Sequence, residues 1–190
     1  MKLFSHTLEG LPLQTGDILC TKNGDEGNLF AQFWRLMGLL VPGEIDHCAI
    51  YLGPGGRCVE SGAKGVITFI MPGMGWHPEV RARKRGLHDV LVGVAYPLEG
   101  RGLSLEEQQR IRQGVAAYCL DKVVKRAPYN INFFNPETDG AFYCSQLVYR
   151  AYLAHGINLN TNHGIPSAPV LDKVVFPQEI WNACVHRRTP

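Results

Sequence analysis

The spacing of apolar residues divides the chain into short runs of strand length and longer stretches of helical period. "GDILCTK" at 16–22, "GVITFIM" at 65–71 and "VLVGVAYP" at 90–97 are rich in β-branched and aliphatic residues and read as strands. "DHCAIYLGPGGRCVESG" holds two more extended runs around Gly53-Pro54-Gly55-Gly56, a hairpin signal. Helical period appears in 28–40, where Leu29, Phe33, Leu36, Met37 and Leu40 recur, and in "SLEEQQRIRQGVAAYCLDKVVKR". In the latter, Ser104 and Glu107 form an S-x-x-E capping box, Lys122, Lys125 and Arg126 crowd the far end, and Pro128 stops the helix. A further helix begins at Cys144, with Leu147, Val148, Ala151 and Tyr152 completing one face, and a last turn is predicted at 177–184. "PGMGWHPEVRARKRGLHD" reads as a Gly- and Pro-rich connection. Strands come first and helices later, which predicts an α+β domain.

Composition narrows the partners. With 45% hydrophobic residues, 190 residues suffice for one core, so residues 1–190 are read as a single domain. A formal charge of +2 and a pI near 8.2 leave no nucleic-acid footprint and no acidic tail. "MKLFSHTLEG" has no apolar run of signal-peptide length, and the most apolar window carries Arg35 and ends at Pro42, short of the ~20 residues a spanning helix needs. The expectation is a cytoplasmic protein. The six cysteines form no C-x-x-C pair and are read as reduced thiols.

Two places carry chemistry. In a hairpin with a four-residue loop, Leu52 pairs with Arg57, Ala49 with Glu60 and His47 with Gly62. His47, Ala49, Tyr51, Cys58 and Glu60 then share a face, and His47 and Glu60 are diagonal neighbours within side-chain reach. A carboxylate holding one imidazole nitrogen leaves the other free to serve a nucleophile. A lone strand histidine or glutamate is, however, more often a satisfied or solvated residue. Cys144 likewise has two readings. Its periodicity makes it a buried, inert thiol, whereas its place at a helix N-terminus favours thiolate and offers N–H groups to an oxyanion.

"GDIL", "DHCAIYLG", "VES", "PYN" and "FYCSQLVY", in that order, resemble the permuted papain-like (YiiX/YaeF-like) members of the NlpC/P60 superfamily across most of 16–155. The resemblance implies a circularly permuted papain-like fold, an antiparallel sheet or small barrel packed against helices. It also implies a cysteine peptidase or amidase with Cys144 as nucleophile, His47 as base and Glu60 as orienter. Tyr51, Tyr143 and Ser145 are candidates for oxyanion or substrate contacts. Relatives often carry Glu where Gln146 stands and Asp where Asn130 stands, which bears on substrate preference. Cys48, after the histidine, faces the other side of its strand and is expected in the core.

The reaction expected is acyl transfer to the thiol followed by hydrolysis of a peptide, lipopeptide or acyl amide. A lipid acyltransferase or thioesterase on the same triad is the alternative, and a non-catalytic binding module the weakest reading. Leu29 to Leu40 is first a core helix, second an acyl pocket or a peripheral membrane contact. Arg81, Arg83, Lys84 and Arg85 are expected as a solvated loop, with phosphate or headgroup contact as the other reading. His47 and Cys48 point to opposite faces, and neither His155 nor His163 has a partner at ligand spacing, so no metal or organic cofactor is expected.

Overall fold

The computed structural model describes residues 1–23, 43–162 and 171–190, together with the backbone but not the side chains of Arg81, Arg83, Lys84 and Leu171. The helix predicted at 28–40, with the pocket or membrane contact expected of it, lies outside the described residues, as does His163.

The fold is α+β. β1 (Ser5–Leu8) and β2 (Leu11–Gln14) form a separate hairpin. Its turn is Glu9-Gly10, both at positive φ (49° and 78°), the backbone that tight hairpins require. The sequence reading missed it, having weighed this segment only as a leader. The main sheet is antiparallel, in the order β6 (Gly65–Ile70), β5 (Arg57–Gly62), β4 (His47–Gly53), β3 (Ile18–Asn23), β7 (Asp89–Tyr96) and β8 (His186–Arg188). Of the sheet or small barrel expected, it is the sheet.

β4 is buried along its whole length because both faces of the sheet are covered. Cys48, Ile50 and Leu52 face a core built with α2 (Leu105–Val124) and α3 (Cys144–Leu153). Ala49 and Tyr51 face a second core containing Leu8, Leu11 and Leu13 of the small hairpin and Phe69 and Trp76. This is why "HCAIYL" reads as a nearly continuous apolar run rather than an alternation. The capping box of α2 is formed: Glu107 N–H donates to Ser104 Oγ (3.2 Å) and Ser104 N–H to Glu107 Oε2 (2.8 Å). α4 (Pro177–Ala183) occupies the predicted last turn.

Two expectations are corrected. The β4–β5 loop has three residues, 54–56, instead of four, but Leu52 is bulged, so Ile50 still pairs with Val59 and Tyr51 with Cys58. An odd loop alone would break the shared face of His47 and Glu60; the extra strand residue compensates for it. The supposed basic loop contains α1 (Pro78–Arg85), which starts on a proline and stops at Gly86 in the left-handed conformation. Arg85 is not solvated: its side chain is 0% exposed.

Gly55 and Gly56 both sit at positive φ in the site hairpin, but only at Gly56 would a Cβ meet backbone, 2.2 Å from the Met71 carbonyl oxygen. Gly55→Ala should therefore lose about 1 kcal/mol in urea unfolding, the usual left-handed penalty. Gly56→Ala should lose clearly more, since the loop must also move off Met71.

Candidate active site

His47 is the first residue of β4, opposite Thr21 of β3, and Glu60 lies in the interior of β5. Their side chains meet across the diagonal that the register creates, with His47 Nε2 and Glu60 Oε2 2.8 Å apart. Nε2 being engaged, Nδ1 is the nitrogen left to face a third group. The His47 ring also interacts with Cys144, the first residue of α3. Cys144 is 2% exposed, His47 7% and Glu60 2%, so the three groups interact largely out of water.

The cysteine helix is tied to the strands at its first turn. Ser61, next to Glu60, donates its hydroxyl to the Phe142 carbonyl (2.5 Å), while Asn130 N–H donates to the same carbonyl and Phe142 N–H to Pro128. Gln146 Oε1 accepts from Tyr143 N–H (3.2 Å) and from Asn130 Nδ2 (2.9 Å), capping the helix from within. Gln146 Nε2 donates to the Pro136 and Thr138 carbonyls. The two departures from the resembled family thus pair with each other. A glutamate at 146 could not donate to those carbonyls.

The oxyanion candidates fare differently. Ser145 donates its hydroxyl to the Val175 carbonyl (2.7 Å), and the Tyr143 hydroxyl accepts from Val175 N–H (3.1 Å) and donates to Phe133 (3.4 Å). Both hydroxyls pin the 171–176 segment to the helix. Tyr51 stands four residues from His47 along the strand, roughly 13 Å away, with its ring stacked on His6 at 5.8 Å. The structure brings none of the three hydroxyls to the thiol. The backbone N–H of Cys144, at the helix N-terminus, remains the donor beside the sulfur.

Sequence reasoning missed two participants. Cys48 does face the helix side, as expected, but there it lies against Cys144 and favours its thiolate. Arg85 grips Glu60 through Nε (2.8 and 3.0 Å) and Nη2 (2.6 Å), and Asp89 through Nη1 (2.7 Å) and Nη2 (2.9 Å). Its membership in a run of four basic residues within five positions hid it. No periodicity marks which member of such a run turns inward.

The charges follow from these contacts. The Cys48 side chain, helped by the His47 ring, holds the Cys144 thiol well below its ordinary range despite burial, while burial beside Cys144 pushes Cys48 well above it. Burial pulls the His47 imidazole down, but Cys144 and Glu60 together carry it up to about 10. Burial would raise the Glu60 carboxyl, yet Arg85 and His47 hold it at about 2. Both shifts favour the thiolate–imidazolium form of the pair.

The α+β fold thus sets a helix-terminal thiol, an imidazole and a buried carboxylate in series. No family model matches the chain, and no curated protein matches it. Among solved structures, the metalloprotein yiiX from Escherichia coli O157:H7 is similar at 18% identity, over 93% of this chain and 95% of that one, with a TM-score of 0.48. Among the described residues, no three His, Cys, Asp or Glu side chains converge to hold a metal ion, and no helix is long and apolar enough to cross a membrane. All six cysteines are buried thiols outside any disulfide.

Two predictions follow from the charges. Iodoacetamide should alkylate Cys144 with an acid limb well below pH 9, and His47→Ala should move that limb toward about 8.5, the value of a free thiol, as read by mass spectrometry against pH. Glu60, depressed from 4.5, stabilises the fold above pH 4.5 and loses that contribution as pH falls toward about 2. His47, raised from 6.5, contributes fully below pH 6.5 and loses its share as pH climbs through about 10. Glu60→Gln should accordingly flatten the acid decline of the urea midpoint.

Proposed function

We propose that the protein is a thiol hydrolase that cleaves an amide bond, in a peptide, lipopeptide or acyl amide, through a thioacyl-enzyme. The observation that carries this reading is the series Cys144, His47, Glu60, in which a buried carboxylate holds one edge of an imidazole whose ring also interacts with a thiol at a helix N-terminus. The ordered motifs that resemble permuted papain-like proteins support the same assignment, residue for residue.

The Cys144 thiolate attacks the carbonyl carbon, and a C–S bond forms as the carbonyl π pair moves onto oxygen. The developing oxyanion lies near the Cys144 N–H, and one such donor is worth roughly 10²–10³ in turnover. The His47 imidazolium gives its proton to the departing amine, the C–N bond breaks, and a thioester remains. Neutral His47 then takes a proton from water, hydroxide oxygen adds to the thioester carbon, and the C–S bond breaks to release the acid. The proton returns to the site as imidazolium beside thiolate. Glu60 faces the ring throughout and keeps it oriented.

The test is turnover on a panel of peptide amides, N-acyl amides and acyl thioesters, with the covalent intermediate trapped by rapid acid quench and weighed intact. A mass increase equal to the acyl group on Cys144, and a loss of at least about a thousandfold in Cys144→Ala, are expected. Transfer of the acyl group to an added amine or alcohol in preference to water would instead favour an acyltransferase. Acyl mass on any other residue would sink the reading.

A further inference from the structure

We infer that Arg85 is a positioning residue of this site: its guanidinium, forked between Glu60 and Asp89, is the permanent countercharge that keeps Glu60 ionised and aimed at His47 throughout the reaction. The inference rests on the proposed nucleophilic role of Cys144 and goes beyond its three-residue series.

The argument begins with burial. Glu60 is 2% exposed, and Arg85 and Asp89 are 0% exposed at their side chains. A carboxylate so enclosed takes up a proton unless an opposite charge stands beside it. His47 cannot be that charge for the whole cycle. In the proposed reaction it surrenders its proton to the leaving amine, and at that moment Glu60 faces a neutral ring. Arginine does not deprotonate in proteins, so its charge persists through the step in which the imidazolium charge is lost.

Geometry makes the role specific. Arg85 Nε and Nη2 address both Glu60 oxygens, and Oε2 is the oxygen that also meets His47 Nε2, at 2.6 Å from Nη2 and 2.8 Å from the ring. A lysine could offer charge there but not the planar fork. The opposite edge of the guanidinium is taken by Asp89, which accepts from Thr21 Oγ1 (2.8 Å), while its backbone carbonyl accepts from Trp76 Nε1 (2.9 Å). Phe69 lies under the guanidinium at 4.4 Å and Trp76 at 5.8 Å. Asp89 offsets the charge that would otherwise make His47 a weaker base, so the guanidinium holds Glu60 without draining the imidazole.

The charged and titratable groups that face Glu60 are therefore His47 from β4, Arg85 from α1 and Asp89 from β7, with Cys144 and Asp46 beside His47 and Cys48 on the opposite face of β4. Its partner on β6, Ile67, brings no charge. With Arg85 removed, a protonated Glu60 neither aims the ring nor favours the imidazolium, and the thiolate loses the aligned partner that keeps its titration low.

The experiment reads Cys144 alkylation by iodoacetamide against pH in the full chain, for wild type, Arg85→Met, Glu60→Gln and the double variant. Arg85→Met should raise the acid midpoint by at least about one pH unit, a tenfold loss of labelling rate on that limb. In the Glu60→Gln background the same change should add no further rise, because the carboxylate it protects is gone. An unchanged midpoint in Arg85→Met overturns the inference, as does an equal rise in both backgrounds, which would mark a packing role alone. Should Arg85→Met fail to fold, Arg85→Lys, which keeps charge and loses the fork, must shift the midpoint upward by a smaller amount; a wild-type profile overturns the inference. A wild-type Cys144 that titrates as an ordinary thiol removes the nucleophile reading and this inference together, whereas a low wild-type midpoint with an indifferent Arg85 removes only this one.

Discussion

Glu60 is a carboxylate placed where water hardly reaches, and the surroundings of the site are arranged around satisfying it. One of its oxygens is shared between His47 and Arg85, and the other is held by Arg85. Neither partner is available by accident. His47 reaches it only because β4 and β5 keep their faces in phase, and Arg85 reaches it only because α1 ends abruptly at Gly86, one residue beyond the guanidinium. Breaking a buried pair of this kind by removing one partner costs about 3–5 kcal/mol, mostly through the charge left behind. The same interaction therefore couples stability to the charge state of the imidazole.

The thiol is positioned by a second, independent set of contacts. Ser61 binds the carbonyl just before α3, so the strand that carries Glu60 also fixes where the cysteine helix begins. Asn130 and Gln146 close the other side of that helix terminus with amide hydrogen bonds, which carry no charge and leave the thiolate without a carboxylate competitor in the first turn. Tyr143 and Ser145 hold the 171–176 segment against the helix. Their hydroxyls work as struts.

Cys48 illustrates how burial and chemistry overlap. Its face of β4 is the core face, and its neighbours there include Cys20, Cys119 and Cys184 as well as Cys144. Burial raises the pKa of Cys20, Cys48, Cys119 and Cys184, whereas Cys144 is pushed down because it meets the Cys48 side chain and the His47 ring together.

Local pattern determined much of this architecture. The capping box at Ser104, the β3, β6 and β7 runs, the glycine-rich β4–β5 turn and the helix face beginning at Cys144 each rest on neighbours a few residues apart, and each is present. The common face of His47 and Glu60 was legible for the same reason, since side-chain alternation has a period of two; the bulge at Leu52 was not, because loop length and strand irregularity trade against each other without a sequence signature. The β1–β2 turn was readable in principle from Glu9-Gly10. What only tertiary structure decided is which charges turn inward. Arg85 belongs to a basic run, and nothing within that run separates it from the rest; its burial depends on Glu60, 25 residues earlier, and on Asp89, brought to it by β7. A buried charge is set by its partner across space, and pairing over such separations leaves no periodicity in the chain.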